Sequence, residues 1–205
     1  MKIENRYKEI MSFAAIEATE ALSKLLRKSM TTEHIDTSII NTTVKKELVR
    51  LYPQKSDNIT MTTSLVGIID GISVIVLPTS SALRLCDALL NRTVGTTTQF
   101  NEMEQSALLE VGNIAVGCFL NSLGYVSILN DIVHKKLSLA INTEQARTDL
   151  SQMVPIKEEY AIRTSFHIKH ADIETLFVFL FNKKILSFLS CESHTSGEQG
   201  NFINM

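Results

Sequence analysis

Apolar side chains between Glu4 and Arg27 recur at three- and four-residue spacing, with Tyr7, Ile10, Ala14, Ala18 and Leu22 on one stripe. That period predicts a long helix with one buried face. "SIINT" is a short strand candidate, and "VKKELVRLY" reads as a short helix stopped by Pro53. "NITMTTSLVGII" alternates as a strand does, and Asp70-Gly71 then reads as a turn into "ISVIVL". Pro78 and Ser80 open a short helix through Leu90, and "NRTVGTTTQF" has the composition of a linker into a second long helix.

The same order then recurs. "KLSLAIN" predicts a strand, "TEQARTDLSQM" a short helix, and "YAIRTSFHI" a strand with Tyr160, Ile162, Phe166 and Ile168 on one face. "ETLFVFLF" reads as a buried strand, and "NKKILSFL" closes with a helical turn. "EIMSFAAIEATEALSKLL" lies over "EVGNIAVGCFLNSLGYVS", and "GISVIVLPTSSALRL" over "ETLFVFLFNKKILSF", at an offset of about 101 to 103 residues. The repeat predicts an α+β fold of two halves related by a pseudo-two-fold, with equivalent long helices. One domain over residues 1–190 is expected, its halves spanning about 1–92 and 101–190. The polar stretch within residues 191–205 is expected to be disordered.

Composition narrows the function. Hydrophobic residues at 44% and charged residues at 20% suit a globular core. A net charge of −2, without segregation, offers no basic field for nucleic acid or a membrane surface. The N-terminus "MKIENRYKEI" is charged where a signal peptide would be apolar, and "SVIVL" and "LFVFLF" are too short to span a bilayer. Cys86, Cys118 and Cys191 lack ligand spacing and are expected to be reduced thiols, so a cytoplasmic location is expected.

The second long helix carries the chemistry. Asn101 and Glu104 have capping-box spacing, which starts the helix near Glu102. At about 100° per residue, Ser106, Glu110, Asn113 and Gly117 share a stripe roughly 60° wide. Leu108, Val111, Ala115 and Phe119 lie opposite and suit burial. A Glu and an Asn one turn apart are usually just solvated helix residues. Two features point further: small residues flank the pair, and mid-helix Asn is unfavourable compared with its use at caps. Gly112, beside the stripe, is expected to let another surface approach.

"MEQSALLEVGNIAVGCFLNSLG" resembles the second active-site helix of the CheC, CheX and FliY phosphatases of chemotaxis. Their motif is an Asp or Ser, a Glu four positions on, and an Asn three further, matched here by Ser106, Glu110 and Asn113. The resemblance implies that fold, with two long helices on a mainly antiparallel sheet, and hydrolysis of the aspartyl phosphate of a CheY-like receiver domain. Asn113 would position the attacking water, Glu110 would pair with a receiver lysine, and Ser106, Gly112 and Gly117 would frame the docking surface. No cofactor of its own is implied, since the receiver supplies Mg2+. CheD is a further implied partner. The alternative is a non-catalytic adaptor of the same fold that binds a receiver domain or CheD.

Two departures bear on that expectation. In the first helix Asn5, Glu9 and Ser12 stand over Ser106, Glu110 and Asn113, so that site keeps its carboxylate but lacks the amide. Met11 and Phe13 replace Gly112 and Ile114, and Met11 is expected to hold a partner away. Lys136 also stands where the family has a proline.

Other candidates are weaker. Among His34, His134, His167, His170 and His194 the one close pair, His167 and His170, would point to opposite faces of a strand, which suits no metal. Cys118 reads as core, Asp70 as a turn residue and Met103 as an apolar contact. "DGIS" and "VGTTT" lack phosphate-loop spacing.

Overall fold

A computed structural model of the chain describes residues 2–42, 46–47, 50, 57–126, 131–141, 143–152, 159–185 and 187. The two apolar stripes form the long helices α1 (Lys2–Leu26) and α3 (Glu102–Val126), with the short helix α2 (Thr79–Leu89) between them. The strands are β1 (Thr32–Thr42), β2 (Asn58–Val66), β3 (Gly71–Pro78), β4 (Val133–His134), β5 (Ser138–Ala140), β6 (Glu159–Ile168) and β7 (Ile173–Asn182). Helix α4 (Thr143–Gln152) follows β5, and a 3-10 turn at Lys169–Ala171 joins β6 to β7. The fold is α+β, as expected.

Among the described residues all strand pairs are antiparallel, in a seven-stranded sheet ordered β1-β6-β7-β3-β2-β4, with β5 also on β2. Exchanging the halves swaps β1 with β5, β2 with β6 and β3 with β7, and the order reads the same in reverse. A pseudo-two-fold through the β3–β7 pair, normal to the sheet, accounts for this. The same axis makes α1 and α3 antiparallel mates, and they pack on each other.

Alternation along the strands sorts side chains to two faces. Toward the long helices point Ile75 and Leu77 of β3, Phe177, Phe179 and Phe181 of β7, and Ile162 and Phe166 of β6, all buried with the helix residues in one cluster. Phe119 of α3 is fully buried there, its ring 4.4 Å from that of Phe177 and 5.6 Å from that of Phe179. The other face holds Ile72, Val74, Val76, Val178 and Leu180 against Ala146 of α4. A buried ion pair lies on that second side: Arg163 Nε donates to Glu47 Oε2 at 2.9 Å, and Thr42 Oγ1 donates to Glu47 Oε1 at 2.8 Å.

By length and composition Glu102–Gly124 could cross a membrane. Here its apolar face is spent on the sheet, with Leu108 and Val116 at zero exposure. The β2–β3 connection needs a glycine: Gly67 has φ +152°, and a Cβ on it would lie 2.2 Å from the Asp131 carbonyl oxygen. Asp70 precedes β3 as an exposed loop residue.

Some expectations are adjusted. The predicted strand at 136–142 shortens to Ser138–Ala140, and β4 adds a short pairing with β2 that carried no strand signal. The helix expected at 44–52 and the turn at 182–189 lie partly outside the described residues. The tail at 191–205, with Cys191 and His194, lies wholly outside them.

Candidate functional site

Helix α3 starts where its capping box placed it. The backbone N–H of Asn101 donates to Glu104 Oε2 at 3.0 Å, and Arg92 Nη1 donates to Glu104 Oε1 at 2.6 Å. The Arg92 guanidinium holds the Glu104 carboxyl below its usual range. The stretch read as a linker is a fastened loop. Asp87, at zero exposure at the end of α2, accepts from Gly95 N at 2.7 Å, Thr96 Oγ1 at 2.9 Å and Thr97 N at 2.9 Å.

Burial alone would raise the Asp87 carboxyl, but bonds from Thr97, Gly95 and Thr96 outweigh it and bring its pKa down to about 2. Asp unfolds to a pKa of about 3.9, so the folded carboxylate contributes stability that is full above about pH 4. That contribution is lost as pH falls toward 2. Asp87→Asn should cost about 1–3 kcal/mol at neutral pH, because an amide NH2 would face the Gly95 N–H. It should also flatten the acid limb of stability between pH 4 and 2. Urea melts across that range check both.

Beyond the cap, the stripe lies open. Ser106 and Glu110 are exposed, and Asn113 and Gly117 are half-buried. Among the described residues neither the Glu110 carboxylate nor the Asn113 amide has a side-chain partner within the protein. A Cβ at Gly117 would meet nothing within 4 Å, which marks that position as open space. Sequence placed the stripe well.

The buried side of α3 is turned from the one expected. Leu108, Gly112, Val116, Phe119 and Leu123 face the sheet, while Val111 and Ala115 are only half-buried. That flank faces α1 across a narrow crevice, which Val111 and Ala115 line together with Ala18 and Leu22. Gly112 is therefore buried beneath the helix and is not part of the exposed stripe. A Cβ there would lie 2.7 Å from Leu137 Cδ2 and 2.7 Å from Met61 Sδ, so the missing side chain lets helix and sheet close up.

On α1, Glu9 is exposed and Ser12 half-buried, matching Glu110 and Asn113 in exposure. The side chain of Asn5 lies outside the described residues. Met11 is fully buried, so it cannot hold a partner off; it fills core space that Gly112 leaves to its neighbours. Phe13 is 50% and Ile16 42% exposed on the outer side of α1.

Burial first, then Glu104 and Asp87, push the Cys86 thiol up to about 12. Burial also raises Cys118, with Glu17 of α1 adding to it. Glu17 and Cys118 are repeat mates at the offset of about 101, so the two long helices meet there. His167, next to last in β6, has Nε2 3.1 Å from Asp172 Oδ1, and His170 lies in the 3-10 turn, not on the strand. Met103 is 59% exposed, with Arg92 Nη2 3.7 Å from its sulfur. The Asp87 clasp went unread in the sequence. Its one signal was an Asp followed eight to ten residues on by Gly95, Thr96 and Thr97.

This architecture, an antiparallel sheet under two pseudo-equivalent long helices, is the fold of the CheC, CheX and FliY chemotaxis proteins. FliY from Thermotoga maritima superposes with a TM-score of 0.69 at 16% identity, covering 92% of this chain and 93% of that one. A chain of the FliG–FliM complex from Helicobacter pylori gives 0.66 at 15% identity, covering 90% and 96%. A chain of the CheX–CheY–BeF3–Mg2+ complex from Borrelia burgdorferi gives 0.52 at 15% identity, covering 83% and 96%. No protein-family model matches the chain, and no curated protein matches it by sequence. Identities this low establish the shared fold.

Proposed function

We propose that the protein is a chemotaxis phosphatase that hydrolyses the aspartyl phosphate of a CheY-like receiver domain through the α3 stripe. One observation carries this reading: Glu110 and Asn113 stand one turn apart on the open side of α3, with no side-chain partner among the described residues. A polar pair kept free on a rigid helix is available to a partner. The likeness to a chain of a CheX–CheY complex supports a receiver as that partner.

Phosphoryl transfer needs mainly placement and charge stabilisation, and a receiver brings its own Mg2+ as part of the substrate. The Asn113 amide offers one donor group and one acceptor, enough to hold a water in line with phosphorus. No charged base is required, because the water becomes acidic only as its bond to phosphorus forms. Glu110 would pair with a receiver lysine and set the register of docking. Ser106 and Gly117 leave room around the pair.

A second reading, a non-catalytic adaptor for a receiver or CheD, is favoured by the first helix. It lacks the amide at Ser12 and displays Phe13 and Ile16 instead. Steady-state hydrolysis with phosphorylated receiver in excess separates the two. Glu110→Ala should raise KM about tenfold, with less change in kcat, and weaken the salt dependence of KM. An unchanged KM removes the docking role. Wild-type binding without turnover leaves the adaptor.

A further inference from the structure

A narrow crevice of about 50 Å3 runs between the two long helices beside the Glu110–Asn113 pair. Ala18, Leu22 and Leu25 of α1 form one wall and Ile114 and Ala115 of α3 the other, with Phe177 of the sheet beneath. It reaches the surface, because Leu25 on its rim is 46% exposed. Ile114 follows Asn113 directly and lies one turn beyond Glu110, so the rim and the polar stripe share an edge.

The crevice is roomy enough for a water, which needs roughly 10–15 Å3 of such space, yet it is unsuited to one. A buried water needs two to four polar partners. Among the described residues Thr175 Oγ1 is the one hydroxyl lining the space that lacks a hydrogen-bond partner, since that of Thr19 is committed to Ala15 and Thr32, and a single group falls short of what a water needs. What suits a dry, surface-reaching gap between aliphatic walls is an apolar side chain. Tight packing against such walls is where interfaces concentrate their binding energy.

We propose that this crevice is an anchor site for the receiver domain, taking one aliphatic or aromatic side chain from the surface that flanks its phosphorylated aspartate. The inference rests on the phosphatase reading and deepens it. Glu110 fixes register by charge, and the crevice adds an apolar contact on the same edge. Continuity of the rim with the stripe selects the receiver as occupant: Ile114 lies one turn beyond Glu110, so a domain docked on Glu110 borders the rim. The first helix shows the contrast, since Phe13 stands at the place equivalent to Ile114 and projects outward.

The test is titration of the protein with a beryllofluoride-activated CheY-like receiver domain, alongside hydrolysis of the phosphorylated form. Ala115→Leu fills the crevice from within. It should weaken binding and raise KM about tenfold, leave kcat unchanged, and keep or raise the melting temperature. Leu25→Ala, at the half-exposed rim, preserves the fold and should weaken binding several-fold, so the outcome does not hang on Ala115→Leu folding. If the wild type binds the receiver and both variants bind equally well, the crevice is only a packing gap and the anchor is refuted. If the wild type neither binds nor hydrolyses receiver, the phosphatase reading falls, and the anchor with it.

Discussion

Asn113→Ala should lower dephosphorylation of a CheY-like receiver by a factor on the order of ten to a thousand. Loss of a water-positioning amide removes orientation and leaves the receiver's own Mg2+ chemistry in place. The residual rate should therefore approach the receiver's spontaneous hydrolysis. Folding should not suffer, because Asn113 is half-buried and has no side-chain partner among the described residues. Alanine even favours the helix by several tenths of a kcal/mol. Receiver binding should stay near normal, since Glu110 remains. Near-wild-type turnover in a folded Asn113→Ala would end the assignment of that residue.

The second large effect concerns the first helix. Met11→Gly removes a fully buried side chain and should cost about 3–6 kcal/mol, from the cavity and from helix propensity together. Native domains hold roughly 5–15 kcal/mol, so this variant should melt far lower or fail to fold. Met11 and Gly112 are thus not interchangeable, although the repeat aligns them. Ser12→Asn is the informative change instead: it adds the missing amide one turn from Glu9, at a half-buried position that tolerates it. In an Asn113→Ala background, any hydrolysis above that of Asn113→Ala alone comes from α1. Phe13, half exposed beside the site, limits the gain. Melting temperature and phosphate release, measured on the same samples, check both expectations.

The long helices, the succession of strands along the chain and the exposed stripe were legible because each rests on local periodicity. Ser106, Glu110 and Asn113 had to share a face once α3 was a helix. Which face was buried was not legible to the same degree. It depends on tertiary packing: the sheet takes Leu108, Gly112 and Val116, while the flank toward α1 borders a crevice. Met11 misled for the same reason: sequence gave its alignment, and only tertiary contacts gave its direction. The loop at 91–100 looked like a linker because Gly and Thr are loop formers anywhere. Its order comes from Asp87 and from the Arg92–Glu104 pair. Both are long-range side-chain contacts that carry no period. The Glu47–Arg163 pair was invisible on the same ground, joining residues from opposite halves of the chain.

The central claim is that the α3 stripe hydrolyses a receiver's aspartyl phosphate. The most direct measurement is the lifetime of a phosphorylated CheY-like receiver mixed with a substoichiometric amount of the wild-type protein and Mg2+. The account predicts that the lifetime shortens in proportion to the protein added, with each molecule clearing many receivers. A lifetime equal to that of the receiver alone, in a mixture where binding is demonstrated, would contradict it.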